Sequence, residues 1–313
     1  MGGPGFDLAV EPGGYAWWYV DVLDPDSGHG LTLILFVGSV FSPGYHRARQ
    51  ADRRADPVAH CGVNVALYRP GGDAWVMTEV AGVERSADAL SVSGTTARWV
   101  GGALEIAFDE RRAPFGQRMR GRVRLHPAAT FDAGRTLDPR GAHRWWPVAP
   151  VAHAVVELDT PRVRFSGHAY HDVNWGDEGL EDGFRRWDWS RASARDATRI
   201  LYDVDRADGS HERWGRVFHA DGRVTESDPP IRERLRPGTW RVEQAVRTER
   251  PGSVRVVRPL EDTPFYTRNW LETLYEGRPA PTMHESLDMR RFEADWVRFL
   301  LPFRMRGGWR TGR

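Results

Sequence analysis

The sequence predicts an all-β protein made of two units. Short apolar runs recur along the whole chain, and Gly, Pro and Asp residues separate them at the spacing of turns. Many short strands at such spacing are typical of a β-sandwich or β-barrel, and not of repeated strand–helix units. No GxGxxG or P-loop pattern follows any of these runs. Nucleotide binding therefore has no support in the sequence.

The strand-like runs fall on both sides of a stretch that is rich in proline and glycine. Before the midpoint of the chain they are "YAWWYVDVL", "LTLILFVGSVF", "VNVALYR", "AWVMTEV", "LEIAFDE", "RGRVRLHP" and "AVVEL"; after it they are "RVRFSGHAY", "RRWDWSRAS", "TRILYDVDR", "ERWGRVFHA" and "WRVEQAVR". The connecting stretch, "HPAATFDAGRTLDPRGAHRWWPVAPVAHA", lacks a clear period. We place a domain boundary near residue 150, which gives units of residues 1–150 and 151–313.

Only the C-terminal segment "TMHESLDMRRFEADWVRFLLPFRMRGG" predicts a helix. One face of this helix would carry Leu287, Phe292, Trp296 and either Phe299 or Leu300. Pro302 would end it. The opposite face is rich in arginine. The segment therefore fits either a helix docked on the fold or a basic amphipathic anchor at a membrane surface.

The composition is that of a globular protein. Of the 313 residues, 40% are hydrophobic and 28% are charged, and the net charge of +1 gives no electrostatic reason to expect nucleic acid as a partner. The single cysteine, Cys61, lies in an apolar run and predicts a buried, inert thiol. No signal peptide is visible, and the longest apolar run is about half the roughly 20 residues of a membrane span. We expect a cytoplasmic protein, with peripheral contact to the inner membrane left open.

Polar and aromatic side chains concentrate in "SGHAYHDVNWG". If this segment is a strand, alternation places five of them on one face: Ser166, His168, Tyr170, Asp172 and Asn174. Burying such groups costs a few kcal/mol each, about 1–3, unless they are partnered. We therefore expect them to face solvent or to line a cavity. His168 and His171 would point in opposite directions, so no metal site is expected.

Tryptophan is unusually frequent, with 14 residues. His143 and Trp145 in "GAHRWWP" are two apart, as are Trp187 and Trp189 in "WDWSR", so each pair shares one face of an extended segment. Such rings can cover a long apolar ligand or stabilise a cation by roughly 0.5–2 kcal/mol each. The alternative is that most of them fill β cores.

Several blocks of the chain resemble the bacterial carotenoid 1,2-hydratases, also called hydroxyneurosporene synthases. The blocks include "GLTLILFVGSVFSPGYHRAR", "GAHRWWPVAP", "GHAYHDVNWGDEGLEDGFRRWDWSR" and "ESLDMRRFEADWVRFLLPFRM", in order over nearly the whole chain. The wider group to which that family belongs includes other hydratases, unusual terpene cyclases and Diels–Alderases. The resemblance implies two lipocalin-like units, a β-sandwich followed by a β-barrel, with the ligand pocket between them.

The resemblance also implies a reaction and its residues. Water would add across a terminal isoprenoid double bond of an acyclic carotenoid, without a cofactor. Asp172 would be the Brønsted acid, supported by His143, Trp145 and Tyr170. An apolar pocket would favour the neutral acid, because desolvation disfavours a carboxylate. His143 would hydrogen-bond to Asp172. We expect five further residues to contact the substrate: His168, Asn174, Trp175, Trp187 and Trp189.

Two other functions stay open at this level. A terpene or meroterpenoid cyclase would use the same acid, with a neighbouring alkene in place of water capturing the carbocation. A lipocalin-type carrier would only bind an apolar ligand. The substrate expected for the enzyme is a long apolar isoprenoid, and its second reactant is water.

Overall fold

The computed structural model describes residues 3–113, 115–301 and 305, and it confirms the all-β prediction. Contacts divide the chain into two units. The first comprises the residues up to Gly179 together with the chain from Phe299 onward, and the second comprises Leu180–Arg298. The boundary expected near residue 150 lies inside a long strand, His143–Thr160, of the first unit.

The first unit is built on one twelve-stranded antiparallel sheet. Its strands are β1 (Tyr15–Asp24), β2 (His29–Val37), β3 (Cys61–Tyr68), β4 (Ala74–Val80), β5 (Glu84–Arg85), β6 (Ala89–Val92), β7 (Thr95–Val100), β8 (Ala103–Arg111), β9 (Arg118–Pro127), β10 (Arg135–Thr136), β11 (His143–Thr160) and β12 (Val163–Gly176). Their order is β4-β3-β2-β1-β12-β11-β9-β8-β7-β6-β5, and β10 pairs with β11. Helix α1 (Pro43–Ala51) and a 3-10 helix (Pro57–His60) connect β2 to β3.

The sheet curls so that strands near its two ends contact each other. Strand β4 contacts β8, and β3 contacts β6, although these strands lie far apart in the sheet order. The enclosed face carries one apolar core that includes Trp18, Leu33, Val65, Ile106 and Val123. Cys61 belongs to this core, where burial raises the pKa of its thiol to about 11, in agreement with the expected inert thiol.

A buried carboxylate links the two ends of the curled sheet. Glu110 on β8 is 3% exposed and accepts a hydrogen bond from the Thr78 hydroxyl of β4 at 2.9 Å. It also accepts hydrogen bonds from the Ser93 hydroxyl, the Gly94 amide and the Thr95 hydroxyl, at 3.0–3.2 Å. Four donors therefore satisfy both carboxyl oxygens of Glu110 where β4 contacts β8.

The second unit contains a seven-stranded antiparallel sheet and a two-stranded ribbon. Its strands are β13 (Phe184–Ser193), β14 (Ala197–Arg206), β15 (His211–His219), β16 (Val224–Glu226), β17 (Ile231–Arg234), β18 (Ala245–Thr248), β19 (Arg255–Asp262), β20 (Tyr266–Tyr275) and β21 (Arg278–Asp288). The sheet order is β16-β15-β14-β13-β21-β20-β19, and β17 pairs with β18. The short helices are α2 (Leu180–Gly183), α3 (Met289–Phe292) and α4 (Asp295–Leu300), and the last two residues of α4 are assigned to the first unit.

The expected C-terminal helix is present only in its second half. Residues Thr282 to Asp288, which the sequence predicts to be helical, belong instead to β21, and this part of the prediction is wrong. Strand β21 pairs with β13 on one side and β20 on the other, and two ladders of hydrogen bonds outweigh the local helical period. Pro302 lies outside the described residues. No helix in the described ranges is long and apolar enough to cross a membrane.

Changing Glu110 to Gln tests the link between the sheet ends. A Gln side chain has one acceptor oxygen, and its amino group would face hydroxyl and amide donors, so we expect a loss of about 1–3 kcal/mol in the free energy of unfolding. Urea denaturation measures this. Glu105→Gln on the same strand is the matched control, since Glu105 forms a surface ion pair with Arg124 and its loss should cost less than about 1 kcal/mol. Equal effects of the two changes would contradict the assignment.

Candidate active site

Strand β1 has two chemically different faces. One set of alternate residues lies in the core of the first unit: Ala16, Trp18, Val20 and Val22. The other set carries aromatic or polar groups: Tyr15, Trp17, Tyr19 and Asp21. Because alternate residues of a strand point to opposite faces, the second set lies on the face turned away from the core. We call this side of the sheet the polar face.

The register of the sheet brings the motif of β12 onto the same face. Tyr19 lies directly opposite Asp172, and on the other side of β12 Asp172 lies opposite Pro147 of β11. The rings of Tyr19 and Tyr170 contact each other edge to face, with their centroids 6.0 Å apart. The polar face is therefore shared by β1, β12 and β11.

Three donors converge on the buried carboxyl group of Asp172, which is 4% exposed. Oδ2 accepts hydrogen bonds from the Tyr170 hydroxyl at 2.6 Å and from the Trp145 indole N–H at 2.8 Å. Oδ1 accepts a hydrogen bond from Nδ2 of Asn174 at 3.1 Å. The indole N–H also lies 3.2 Å from the Tyr170 hydroxyl. These four side chains form one connected network, which we call the Asp172 network.

His143 lies further along the same face. It is opposite Gly176, four residues from the Pro147 that faces Asp172, so about 13 Å of strand separates the two backbones. Its Nδ1 lies 2.9 Å from the Tyr15 hydroxyl, and its Nε2 lies 3.4 Å from a carboxylate oxygen of Glu178. Burial lowers the pKa of His143, although the nearby Asp138 and Glu178 carboxylates oppose this shift. The direct hydrogen bond from His143 to Asp172 stays a prediction.

The expected substrate-contact residues divide between the two units. His168 is half-buried on β12, and Trp175 packs against the apolar core, with the Arg144 guanidinium 6.0 Å from its ring. Trp187 and Trp189 lie on β13 of the second unit, where Trp189 is buried and Trp187 packs edge to face on Phe184. Asn174, the remaining one of the five, donates a hydrogen bond to Asp172.

Sequence reasoning missed most of the residues that β1 contributes. Tyr15, which pairs with His143, and Tyr19, which lies beside Asp172, are both buried. The signal was present in "YAWWYVDV", where aromatic and acidic residues alternate with apolar ones. What the sequence lacks is the register with β12, which lies some 150 residues away. In the part of the chain described, no group of three or more His, Cys, Asp and Glu residues could hold a metal ion.

The neighbouring His171 makes stability depend on pH. Burial lowers the pKa of His171 to about 4, and its Nδ1 lies 2.9 Å from the backbone oxygen of Tyr19. The unfolded chain binds a proton near pH 6.5. Below that pH the unfolded state therefore holds more protons than the folded state, and stability falls as the pH drops from about 6.5 towards 4.

Changing His171 to Gln should reduce this loss. We expect the fall in the free energy of unfolding between those two pH values to shrink by about 1–3 kcal/mol, because one pKa unit corresponds to about 1.4 kcal/mol. Urea denaturation at a series of pH values measures it. His126→Gln is the control, since His126 is exposed. The same pH dependence in His171→Gln and in the unchanged protein would contradict the assignment.

Comparison with known proteins agrees with the fold and assigns the family. The model of the family "Carotenoid hydratase CrtC" matches residues 33–311. An acyclic carotenoid 1,2-hydratase of Thiocapsa roseopersicina is 45% identical over 306 residues, which are 97% of this chain and 75% of the relative. The acyclic carotenoid 1,2-hydratase of Cereibacter sphaeroides is 36% identical and covers 88% of this chain and 99% of its own.

Two solved structures share the fold at low sequence identity. A candidate AttH protein from Nitrosomonas europaea has a TM-score of 0.63 and 15% identity, covering 88% of this chain and 92% of its own. CghA bound to Sch210972 has a TM-score of 0.58 and 13% identity, covering 92% and 95%. The family match spans most of the chain, and curated relatives support it. The chain therefore belongs to the carotenoid hydratase CrtC family, as its sequence blocks predict.

Proposed function

We propose that this protein adds water to a terminal isoprenoid double bond of an acyclic carotenoid, of the lycopene or neurosporene type, after Asp172 protonates the alkene. The names of its relatives support the substrate class. The observation that carries the mechanism is the Asp172 network, a buried carboxyl group that accepts hydrogen bonds from three side chains. Proton transfer forms a tertiary cation, and water captures it.

The network suits an acid that must give up its proton. Burial disfavours a carboxylate, which favours a neutral Asp172 before reaction. Negative charge develops on Asp172 as the proton leaves. The Tyr170, Trp145 and Asn174 donors are already directed at its oxygens and need no reorganisation at that moment. Such preorganised donors stabilise the transition state more than the ground state, by about 10²–10³-fold in rate for one donor.

Aromatic rings beside the acid suit the developing cation. Tyr19 lies directly opposite Asp172 and contacts the ring of Tyr170. A ring face within about 6 Å of a cation contributes roughly 0.5–2 kcal/mol. Tyr15 and Trp17 stack further along β1, with centroids 5.0 Å apart. We propose that these rings stabilise the cation and align the polyene.

His143 acts at a distance in this proposal. It pairs with Tyr15 and Glu178, and it thereby holds the Tyr15 side chain next to Trp17. We assign it a positioning role on the polar face. The reaction as written consumes one alkene and one water and gives one alcohol. It is balanced without an oxidant, a reductant or a cofactor.

Changing Asp172 to Asn should abolish hydration and preserve the fold. An amide has no acidic proton, so we expect turnover to fall at least about 10³-fold while polyene binding survives. The assay incubates the protein with lycopene or neurosporene in detergent and ¹⁸O-labelled water and follows labelled alcohol by mass. Asp177→Asn is the control, because Asp177 forms an ion pair with Arg144 close by in sequence and is partly exposed. The turnover of Tyr170→Phe should lie between that of the unchanged protein and that of Asp172→Asn.

Each outcome of this assay has a definite meaning. Labelled alcohol from the unchanged protein and none from Asp172→Asn supports the proposal. An isomer of unchanged mass would indicate the cyclase alternative, and recovery of unchanged polyene would indicate a carrier. Full activity of Asp172→Asn would contradict the assignment of the acid.

We also propose that the protein contacts a membrane surface through an aromatic patch formed by Trp240 and Trp296. The two rings stack with their centroids 5.9 Å apart, yet Trp240 is 37% and Trp296 48% exposed. The Arg291 guanidinium donates to the Trp240 carbonyl at 2.6 Å and fixes the loop. Exposed tryptophans beside arginines suit the lipid headgroup region, and a carotenoid must come from a bilayer.

Replacing both Trp240 and Trp296 by Ser should weaken membrane binding. Flotation with anionic liposomes measures it, and we expect the unchanged protein to float and the double variant to stay at the bottom. Val256→Ser with Val257→Ser is the control, since these two valines are 45% and 39% exposed on β19. If all three proteins float equally, or if none of them floats, this surface is not the membrane contact.

A further inference from the structure

A second carboxyl group lies on the polar face next to the Asp172 network. Asp21 of β1 is 0% exposed. Its neighbours Val20 and Val22 belong to the apolar core, so the Asp21 side chain points to the opposite face. A fully buried Asp needs hydrogen-bond or charge partners, because an ionised carboxylate loses its hydration on burial.

The register fixes the position of Asp21 relative to the acid. Asp21 lies directly opposite Tyr170 of β12, while Tyr19 lies opposite Asp172. Asp21 and Asp172 are therefore diagonal neighbours across one strand pair, with their backbones about 7–8 Å apart. Inverting glycosidases also use one carboxyl group as acid and a second, from a neighbouring position, as base on a water molecule. Here the two carboxyl groups extend from neighbouring strands towards the same face.

A buried hydroxyl on the next strand marks a place for that water. Thr32 of β2 lies directly opposite Asp21 and is 0% exposed. Both of its neighbours in sequence, Leu31 and Leu33, belong to the core, so Thr32 also lies on the polar face. Its hydroxyl has no hydrogen-bond partner among the described residues. Such a group costs about 1–3 kcal/mol, and a water bound between Thr32 and Asp21 would satisfy it.

We propose that Asp21 is the base that takes the proton from the attacking water. This role rests on the proposed function. Asp172 gives its proton to one alkene carbon, and the other carbon becomes the tertiary cation. The water oxygen forms the new C–O bond, and one of the water protons passes to the Asp21 carboxylate. The alcohol keeps the other proton.

The same geometry returns the proton to the acid. Tyr170 lies opposite Asp21, and its hydroxyl donates to Oδ2 of Asp172 at 2.6 Å. The phenol accepts the proton of Asp21 on its oxygen and passes its own to Asp172. One water is consumed, and both carboxyl groups regain their starting states.

The test separates protonation of the alkene from water capture. In heavy water, reversible protonation by Asp172 introduces deuterium into recovered polyene, whereas water capture gives the alcohol. For Asp21→Asn we expect alcohol formation to fall by about 10²–10⁴-fold, the usual contribution of a general base, while deuterium exchange into the polyene persists. Asp172→Asn should lose both. Asp26→Asn, at an exposed turn residue just after β1, should change neither.

Each result decides the proposal. Alcohol formation by Asp21→Asn at the unchanged rate would overturn it, as would loss of exchange and alcohol together in a folded variant that still binds polyene. If Asp21→Asn does not fold, Asp21→Glu replaces it: a shift from alcohol towards exchange supports the role, and an unchanged ratio overturns it. Exchange that survives in Asp172→Asn would instead contradict the proposed function, and so the two failures are distinguishable.

Discussion

The pairing of β1 with β12 is the constraint on which the rest of the first unit depends. Both strands alternate apolar with polar or aromatic residues, and their register keeps the two sets on opposite faces. A slip of one residue would move Tyr19 and Asp172 into the core and expose Trp18. The apolar core therefore fixes the register, and the register fixes the polar face. Packing energy on one side of the sheet thus holds the geometry of the Asp172 network on the other.

The Asp172 network unites two opposing effects. In the mechanism that we propose, burial favours the neutral acid, while donors from Tyr170, Trp145 and Asn174 stabilise the carboxylate that forms when the proton leaves. An acid strong enough to protonate an alkene needs both. In water these hydrogen bonds would be screened, and solvent would compete for the same carboxylate oxygens. Stabilisation of the carboxylate by these donors therefore depends on a buried site.

The sequence predicts the local part of this site and misses the distant part. The alternation in "HAYHDVNWG" places Tyr170, Asp172 and Asn174 on one face, and the hydrogen bonds among them agree with it. The positions of Tyr19 and Asp21 beside this motif could not be predicted, because they depend on a pairing between strands some 150 residues apart. No local pattern encodes such a register.

A local hydrophobic period predicts the wrong element where pairing with neighbouring strands is more favourable. The residues from Thr282 to Asp288 have a helical pattern but form β21, because two neighbouring strands offer hydrogen bonds along their whole length. Trp175 belongs to the same sequence motif as Asp172, yet it packs against the core because it lies one residue out of phase with Asn174. All-β architecture itself was predictable, because turn residues punctuate the entire chain.

The most direct test of the account is the protonation state of Asp172 in the resting protein. Infrared difference spectroscopy of the unchanged protein against Asp172→Asn, at neutral pH, reports the carbonyl stretch of a protonated carboxyl group. The account predicts such a band, shifted in heavy water and absent from the variant. A difference spectrum that contains only carboxylate bands would contradict Asp172 as the resting acid.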